Sequence, residues 1–180
     1  MQRSNEETEA ESREATPAPY YLEEMRAGDL ERVVALEREC GLNSRGLDKY
    51  RTGLADPREV LLVAVERASI ADRRELVGLV SGMVVIDELQ IDNLAVATGW
   101  RRLGVGSHLL REAMVRAHRN GATRIVLELR SRNTAALALY RRQGLEVNGK
   151  RISYYVDPPD DALLMTGQIE RLITNWKPQN

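Results

Sequence analysis

Apolar positions along this chain switch between two spacings, and the switches mark out its elements. "YYLEEM" at 20–25 reads as a short strand. "GDLERVVALEREC" at 28–40 carries Leu30, Val33, Val34 and Leu36 at helical spacing, with Asp29 placed to cap the first turn. "LDKYRTGLADP" at 47–57 predicts a second short helix stopped by Pro57. Three strands follow in succession, "VLLVAV", "ELVGLVSGMVVI" and "LQIDNLAV". The helical period returns in "SHLLREAMVRAHRNG" at 107–121, where Leu109, Leu110, Ala113, Met114 and Ala117 share a face and Asn120-Gly121 ends the helix. Strand "RIVLEL", helix "NTAALALYRRQG" with Asn133 as its cap, and strands near "LEV", "ISYYV" and "DALLM" come next. "GQIERLITNWKPQN" spaces Ile169, Leu172, Ile173 and Trp176 as a helix packed on its own domain would.

Strands before helices, with a strand-helix-strand unit in the middle, predict a mixed α/β (α+β) domain. A doubly wound parallel sheet does not fit, because no helix interrupts residues 60 to 96. Three segments are expected. Residues 1–19, with five Glu against two Arg and no aromatic, read as a disordered acidic tail. Residues 20–166 form the folded domain, and 167–180 a C-terminal helical extension.

Composition narrows the classes. A chain of 180 residues with 43% apolar content can build one core, and a net charge of −1 draws in neither polyanion nor membrane. No apolar run is long enough to span a bilayer and no apolar signal opens the chain, so a cytoplasmic protein is expected. Cys40, the lone cysteine, reads as a small core or boundary residue, and no Cys/His cluster has metal-ligand spacing; no metal is expected.

Candidate chemistry begins at "WRRLGVGSHLL", residues 100–110, where a strand hands over to a helix. A P-loop would need a Lys after its glycines, and the dinucleotide fingerprint would need a third glycine where Leu109 stands. What remains is Arg101-x-x-Gly104-x-Gly106 entering a helix, either a plain tight turn or a place where helix N–H groups meet an anion. Between 101 and 142 there are ten Arg and two Glu, which suits a polyphosphate ligand, while a solvated helix face is the usual fate of such a run. Nucleic acid is not expected, because Phe is absent and no aromatics interleave with these arginines. Glu128 interrupts the apolar "IVLEL"; it is either a desolvated general base or an ordinary outward position of an alternating strand.

"LQIDNLAVATGWRRLGVGSHLL" followed by "LELRSRNTAALALYRRQGLEV" resembles the acetyl-CoA-binding core of the GNAT acetyltransferase superfamily, whose Q/R-x-x-G-x-G/A pattern is met by Arg101, Gly104 and Gly106. Within it the chain is most similar to the RimI-type ribosomal-protein alanine N-acetyltransferases. They share Glu128 in its strand, Asn133, the "ALY" ending at Tyr140, the pair Tyr154-Tyr155, and "DALLM" at 161–165. The likeness is dense from 89 to 165 and faint from 20 to 88. "CGLNSRGLDKY" lacks the Pro-Trp frequent there in RimI-type enzymes, Arg132 stands where Ser is common, and Ser153 replaces a frequent Asn.

The resemblance implies a GNAT fold: a central, mostly antiparallel twisted sheet of six to seven strands flanked by about four helices, plus a C-terminal helix. It implies acetyl-CoA as co-substrate, its pantetheine arm held by backbone at Leu94, Ala95 and Val96, with the Val96 N–H near the thioester oxygen. Arg101 with the N–H groups of Arg102, Leu103, Gly104, Val105, Gly106 and Ser107 would hold the pyrophosphate, and Asn133 the arm. Glu128 would accept the amine proton through water, and Tyr140, also lining the cofactor, would protonate the thiolate; as a bare residue Tyr140 is equally a packed helix tyrosine. Tyr154 and Tyr155 would flank a peptide, although a cross-strand packing pair reads the same way.

An α-amine is deprotonated about 400 times more often than lysine at equal pH, which favours a protein N-terminus as acceptor. The resemblance makes the N-terminal alanine of a ribosomal protein the leading candidate, with acetyl-CoA as the other partner, no membrane, and a monomer or weak homodimer. A small-molecule amine or lysine is the alternative acceptor, and a non-catalytic acyl-CoA-binding regulatory domain the alternative class.

Overall fold

The apolar runs between 59 and 96 are buried on both sides because helices cover both faces of the sheet they form. The structure, a computed structural model, describes residues 18–67 and 74–176. Its elements are β1 (Tyr20–Glu24), α1 (Leu30–Glu39), α2 (Leu47–Gly53), β2 (Glu59–Glu66), β3 (Leu76–Val85), β4 (Glu88–Val96), α3 (Val105–Arg119), β5 (Arg124–Arg130), α4 (Thr134–Arg142), β6 (Glu146–Tyr155), β7 (Asp160–Gln168) and α5 (Ile169–Thr174). The seven strands make one sheet in the order β1-β2-β3-β4-β5-β7-β6. Every pairing is antiparallel except β4 with β5, which is parallel and needs a crossover that α3 supplies. This is the mostly antiparallel α/β sheet that the resemblance implied.

Alternation along β2 sends Val60, Leu62 and Ala64 into a core with α3, and Leu61, Val63 and Val65 into a second core with α1 and α2. The expected faces of α1 and α3 are the buried ones, down to Leu36 and Met114 at zero exposure. Ile169 and Leu172 of α5 are buried in the α3 core. No helix among the described residues is long and apolar enough to cross a membrane. The expected acidic tail lies outside the described residues except for Ala18 and Pro19, whose carbonyls accept from Arg67 Nε and Arg67 N.

Three local expectations are corrected. Asp29 precedes α1 but does not cap it: its carboxylate accepts from Arg26 N at 2.8 Å and from the Arg74 guanidinium at 3.0 Å, closing the 3-10 turn before the helix. "LEV" and "ISYYV" are not separate strands but the two ends of β6. Register shifts at Val147/Gly149 and Arg151/Tyr155 break its alternation, which is why the pattern read as two pieces. The second helix stops at Gly53, short of Pro57.

One irregularity decides the shape of the centre. In β4, Ile91 pairs with Gly82 and Asn93 with Ser81, leaving Asp92 as an extra residue in a β-bulge. Leu89 and Ile91 face the α3 core, whereas Ala95 beyond the bulge faces the α1 core. A Cβ at Gly82 would run into the Gln90 carbonyl oxygen. Gly82→Ala is therefore expected to lower the unfolding free energy by about 1–3 kcal/mol in urea titration; full stability in that variant would show that the bulge tolerates a side chain.

Candidate active site

Beyond the bulge β4 keeps only one neighbour. Its pairing with β5 covers Glu88↔Arg124 to Ile91↔Leu127 and then ends, while its pairing with β3 continues to Val96↔Gly78. The Ala97 N–H donates to Val77 O across the β3 side. By ladder alternation the N–H groups of Val96 and Leu94 therefore face the opposite way, into the opening between β4 and β5. On that side Val96 O accepts from Arg101 Nε at 3.1 Å and from Cys40 Sγ at 3.5 Å. Arg101 is thus turned back onto the strand end rather than outward.

The N-terminus of α3 stands beside this opening. Gly104, the residue before the helix, has φ of +80°, where a side chain is strained, and no side chain caps the first turn. Helical geometry leaves the N–H groups of Val105, Gly106 and Ser107 without helical acceptors. Among the described residues the N–H groups of Arg102, Leu103 and Gly104 find none either. A Cβ at Gly106 would stand 3.2 Å from Leu139 Cδ1 of α4 and 3.5 Å from Val96 Cγ2, so the glycine lets the start of α3 approach α4 and β4 closely. Gln143 Nε2 donates to Ser107 Oγ at 3.2 Å and ties α4 to α3. Free donors at a helix start, next to a strand edge with unspent backbone groups, suit a pyrophosphate carrying an extended arm.

Asn133 caps α4, its Oδ1 accepting from Ala136 N at 3.1 Å, at an exposed position. Tyr140 is buried in the α3 core, and its hydroxyl has no hydrogen-bond partner among the described residues. Burial pushes its phenol well above the ordinary value of 10.0, so it stays protonated beyond the pH at which a free phenol ionises.

Glu128 follows the alternation of its strand. Ile125, Leu127 and Leu129 of β5 fill the α3 core, which puts Glu128 on the opposite face with its side chain 25% exposed. Its Oε1 pairs with Arg151 Nη1 at 2.9 Å. Tyr154 and Tyr155 stack edge-on with centroids 5.1 Å apart, Arg151 lying over the first ring and Arg130 over the second. Arg130 also grips the β6–β7 turn through Asp157 O and Pro158 O. Burial raises the Tyr155 phenol, with the Glu128 charge adding to the shift. The structure thus brings Glu128, Tyr154 and Tyr155 together on one face, and the turn 101–107, Val96 and α4 together at the opening.

Several participants escaped the sequence pattern. Arg130, counted in the basic run that suited a polyphosphate, instead covers Tyr155; Arg151 and Asp160 carried no signal, and Asp160 accepts from Ser131 Oγ at 2.6 Å and Arg132 N at 3.2 Å to fix the turn into α4. Glu37 did leave a signal: it falls four residues after Val33, on the apolar face of α1, and has no exposed surface. A cavity of about 350 Å³ lined by Glu24, Asp56, Glu59 and Arg116 lies by the C-terminus of α3, at the other end from Gly104.

An opened parallel strand pair beside an uncapped, glycine-led helix start defines a protein that handles a phosphate-bearing carrier arm. The sequence profile of the acetyltransferase (GNAT) family matches residues 19–145, and the chain belongs to that family. It is an N-acetyltransferase that uses acetyl-CoA as its acyl donor. It is 28% identical over 141 residues to a Bacillus subtilis protein provisionally named ribosomal protein bS18-alanine N-acetyltransferase, covering 78% of this chain and 90% of that one. It is 36% identical over 84 residues to the ribosomal protein bS18-alanine N-acetyltransferase of Escherichia coli, covering 46% of this chain and 57% of that one. The crystal structure of the ribosomal-protein-S18-alanine N-acetyltransferase from Escherichia coli superposes with a TM-score of 0.71 at 23% identity, over 83% of this chain and 94% of that one, which shows the fold.

Gly106→Val would press on Leu139 and Val96 and displace the start of α3. Calorimetric titration is expected to show acetyl-CoA binding weakened by at least about tenfold, roughly the 1–3 kcal/mol of an overpacked contact; unchanged affinity would remove this turn from the site.

Proposed function

We propose that the chain acetylates the α-amine of a protein N-terminus, with the N-terminal alanine of a ribosomal protein as substrate, by direct attack in a ternary complex. The observation that carries this reading is the face holding Glu128, Tyr154 and Tyr155, which continues into an exposed apolar arm of Ile152 and Val156, 71% and 84% exposed. Such an arm offers contact area to a polypeptide that a small amine does not need. The names of the two relatives support the same acceptor, and a ribosomal substrate implies a cytoplasmic site of action.

Acetyl-CoA, when bound, supplies an activated acetyl group on a thioester. In this reading the N–H run from 102 to 107 holds the pyrophosphate at the positive end of α3. Leu94, Ala95 and Val96 offer their free backbone edge to the pantetheine arm, and Asn133 flanks it from the start of α4. The Val96 N–H donates to the oxygen on which negative charge develops. Arg101 steadies that strand end through the Val96 carbonyl. Glu128, on the acceptor face, takes the amine proton through a water, and Arg151 orients its carboxylate. Tyr140 keeps its proton because of burial and delivers it to the departing thiolate. Tyr154 and Tyr155 line the peptide's approach.

Glu128→Gln is expected to lower turnover by about 10² to 10⁴ while leaving acetyl-CoA affinity near wild type; equal losses in both would remove the general-base role. Tyr140→Phe should lower kcat comparably. Because burial raises the Tyr140 pKa, the alkaline limb that a free phenol would put near pH 10 should be absent from the wild-type pH profile of kcat up to about 10.5.

The acceptor is tested by mass spectrometry with paired peptides, one with a free N-terminal alanine and an internal lysine, its twin blocked at the N-terminus. Acetyl on the free α-amine alone supports the proposal. Acetyl on lysine, or on a polyamine run alongside, overturns the acceptor and leaves the fold and the donor untouched.

A further inference from the structure

On the inward face of α1 a carboxylate stands where the helical pattern asks for an apolar residue. Glu37 is completely buried. Its Oε1 accepts from the Tyr50 hydroxyl at 2.5 Å and from Asn93 Nδ2 at 2.6 Å, while Oε2 is buried with no partner among the described residues. A buried carboxylate with one oxygen unpaired is less stabilising than an apolar side chain of similar size. Packing alone therefore does not account for it.

What Glu37 holds is the strand that carries the site. Asn93 is the first residue after the bulged Asp92 and stands three positions before Val96. Its Nδ2 donates to Glu37 Oε1 and also to Asn43 O at 3.0 Å, in the segment joining α1 to α2. The amide is thereby fixed between α1 and that segment, at the point where β4 turns away from β5. The neighbouring cation is spent elsewhere: Arg45 forks onto Glu59 at 2.8 and 2.6 Å and reaches Asp92 at 3.3 Å. Tyr50, the other donor to Glu37, bonds onward to Ser81 Oγ of β3 at 3.3 Å. Asn93 is therefore the direct link from Glu37 to β4.

We propose that Glu37 is a positioning residue for acetyl transfer: through Asn93 it holds the β4 bulge in the arrangement that aims the Val96 N–H into the opening. This rests on the transfer roles assigned above to the free edge of β4. Glu37 itself touches no reacting atom. Loss of the link displaces a donor that must meet charge developing in the reaction, so it lowers kcat and leaves the phosphate cradle on α3 unaffected.

The test measures kcat, KM for acetyl-CoA and melting temperature on the amine that wild-type protein accepts, so that a wrong acceptor shows in the wild type and not in the variants. Glu37→Leu and Asn93→Leu are each expected to lower kcat by about 10- to 100-fold with KM for acetyl-CoA unchanged. The double variant is expected to lose no more than the worse single one, as for residues acting in series. Glu37→Gln keeps an acceptor oxygen for Asn93 and is expected to retain more of kcat than Glu37→Leu. Tyr50→Phe spares the Asn93 bond and should lower the melting temperature with kcat preserved. Unchanged kcat in either leucine variant, losses that multiply in the double, a loss confined to KM, or an equal kcat loss in Tyr50→Phe would each overturn the proposal. Should Glu37→Leu fail to fold, Asn93→Leu and Glu37→Gln decide: kcat lost in the first and largely kept in the second supports the link, and any other combination overturns it.

Discussion

Pairing between β4 and β5 ends after Ile91 and Leu127, and the rest of the site depends on that ending. A strand inside a sheet ordinarily spends every N–H and C=O on its neighbours, and unpaired ones are costly. The bulge at Asp92 turns β4 by one residue, so that Leu94 to Val96 keep β3 on one side and present open backbone on the other. The carbonyl there is answered from within the chain, by Arg101 and Cys40. The N–H groups face the opening, beside the start of α3 and Leu139 of α4.

The sheet separates the two halves of the chemistry. On the α3 face are an uncapped helix start and a buried phenol, groups that suit an anion and a proton donor. On the opposite face are Glu128, paired with Arg151, and the two tyrosines, each under an arginine. The opening where β4 leaves β5 interrupts the sheet between them. Donor and acceptor can thus be held by different elements and still meet, the arrangement that direct transfer in a ternary complex requires.

The polar groups around this passage are fixed by contacts that pattern analysis does not see. Asp160 anchors the turn between β5 and α4, Arg130 pins the β6–β7 arm, and Glu37 and Asn93 brace the bulge. Each is an ordinary charged or amide residue in sequence. Their roles arise because segments far apart in the chain, such as Glu37 and Asn93, are brought within hydrogen-bond distance by the two cores.

Local physics was legible from the residues alone. Gly104 and Gly106 before a helical period, Asn133 as a cap, and the apolar faces of α1 and α3 follow from backbone sterics and from burial, which act over a few residues. The resemblance then places Glu128, Tyr140 and the turn in one family pattern. The sequence could not decide which face Glu128 occupies, that Asp29 serves a 3-10 turn and Arg74 instead of α1, or that "LEV" and "ISYYV" are one irregular strand. Those outcomes depend on register and on partners distant in the chain, because a bulge or a one-residue slip exchanges the faces of a strand without altering a single residue type. The sequence determined the elements and the chemistry they carry; the tertiary structure decided which groups meet, since only packing sets where β4 leaves β5.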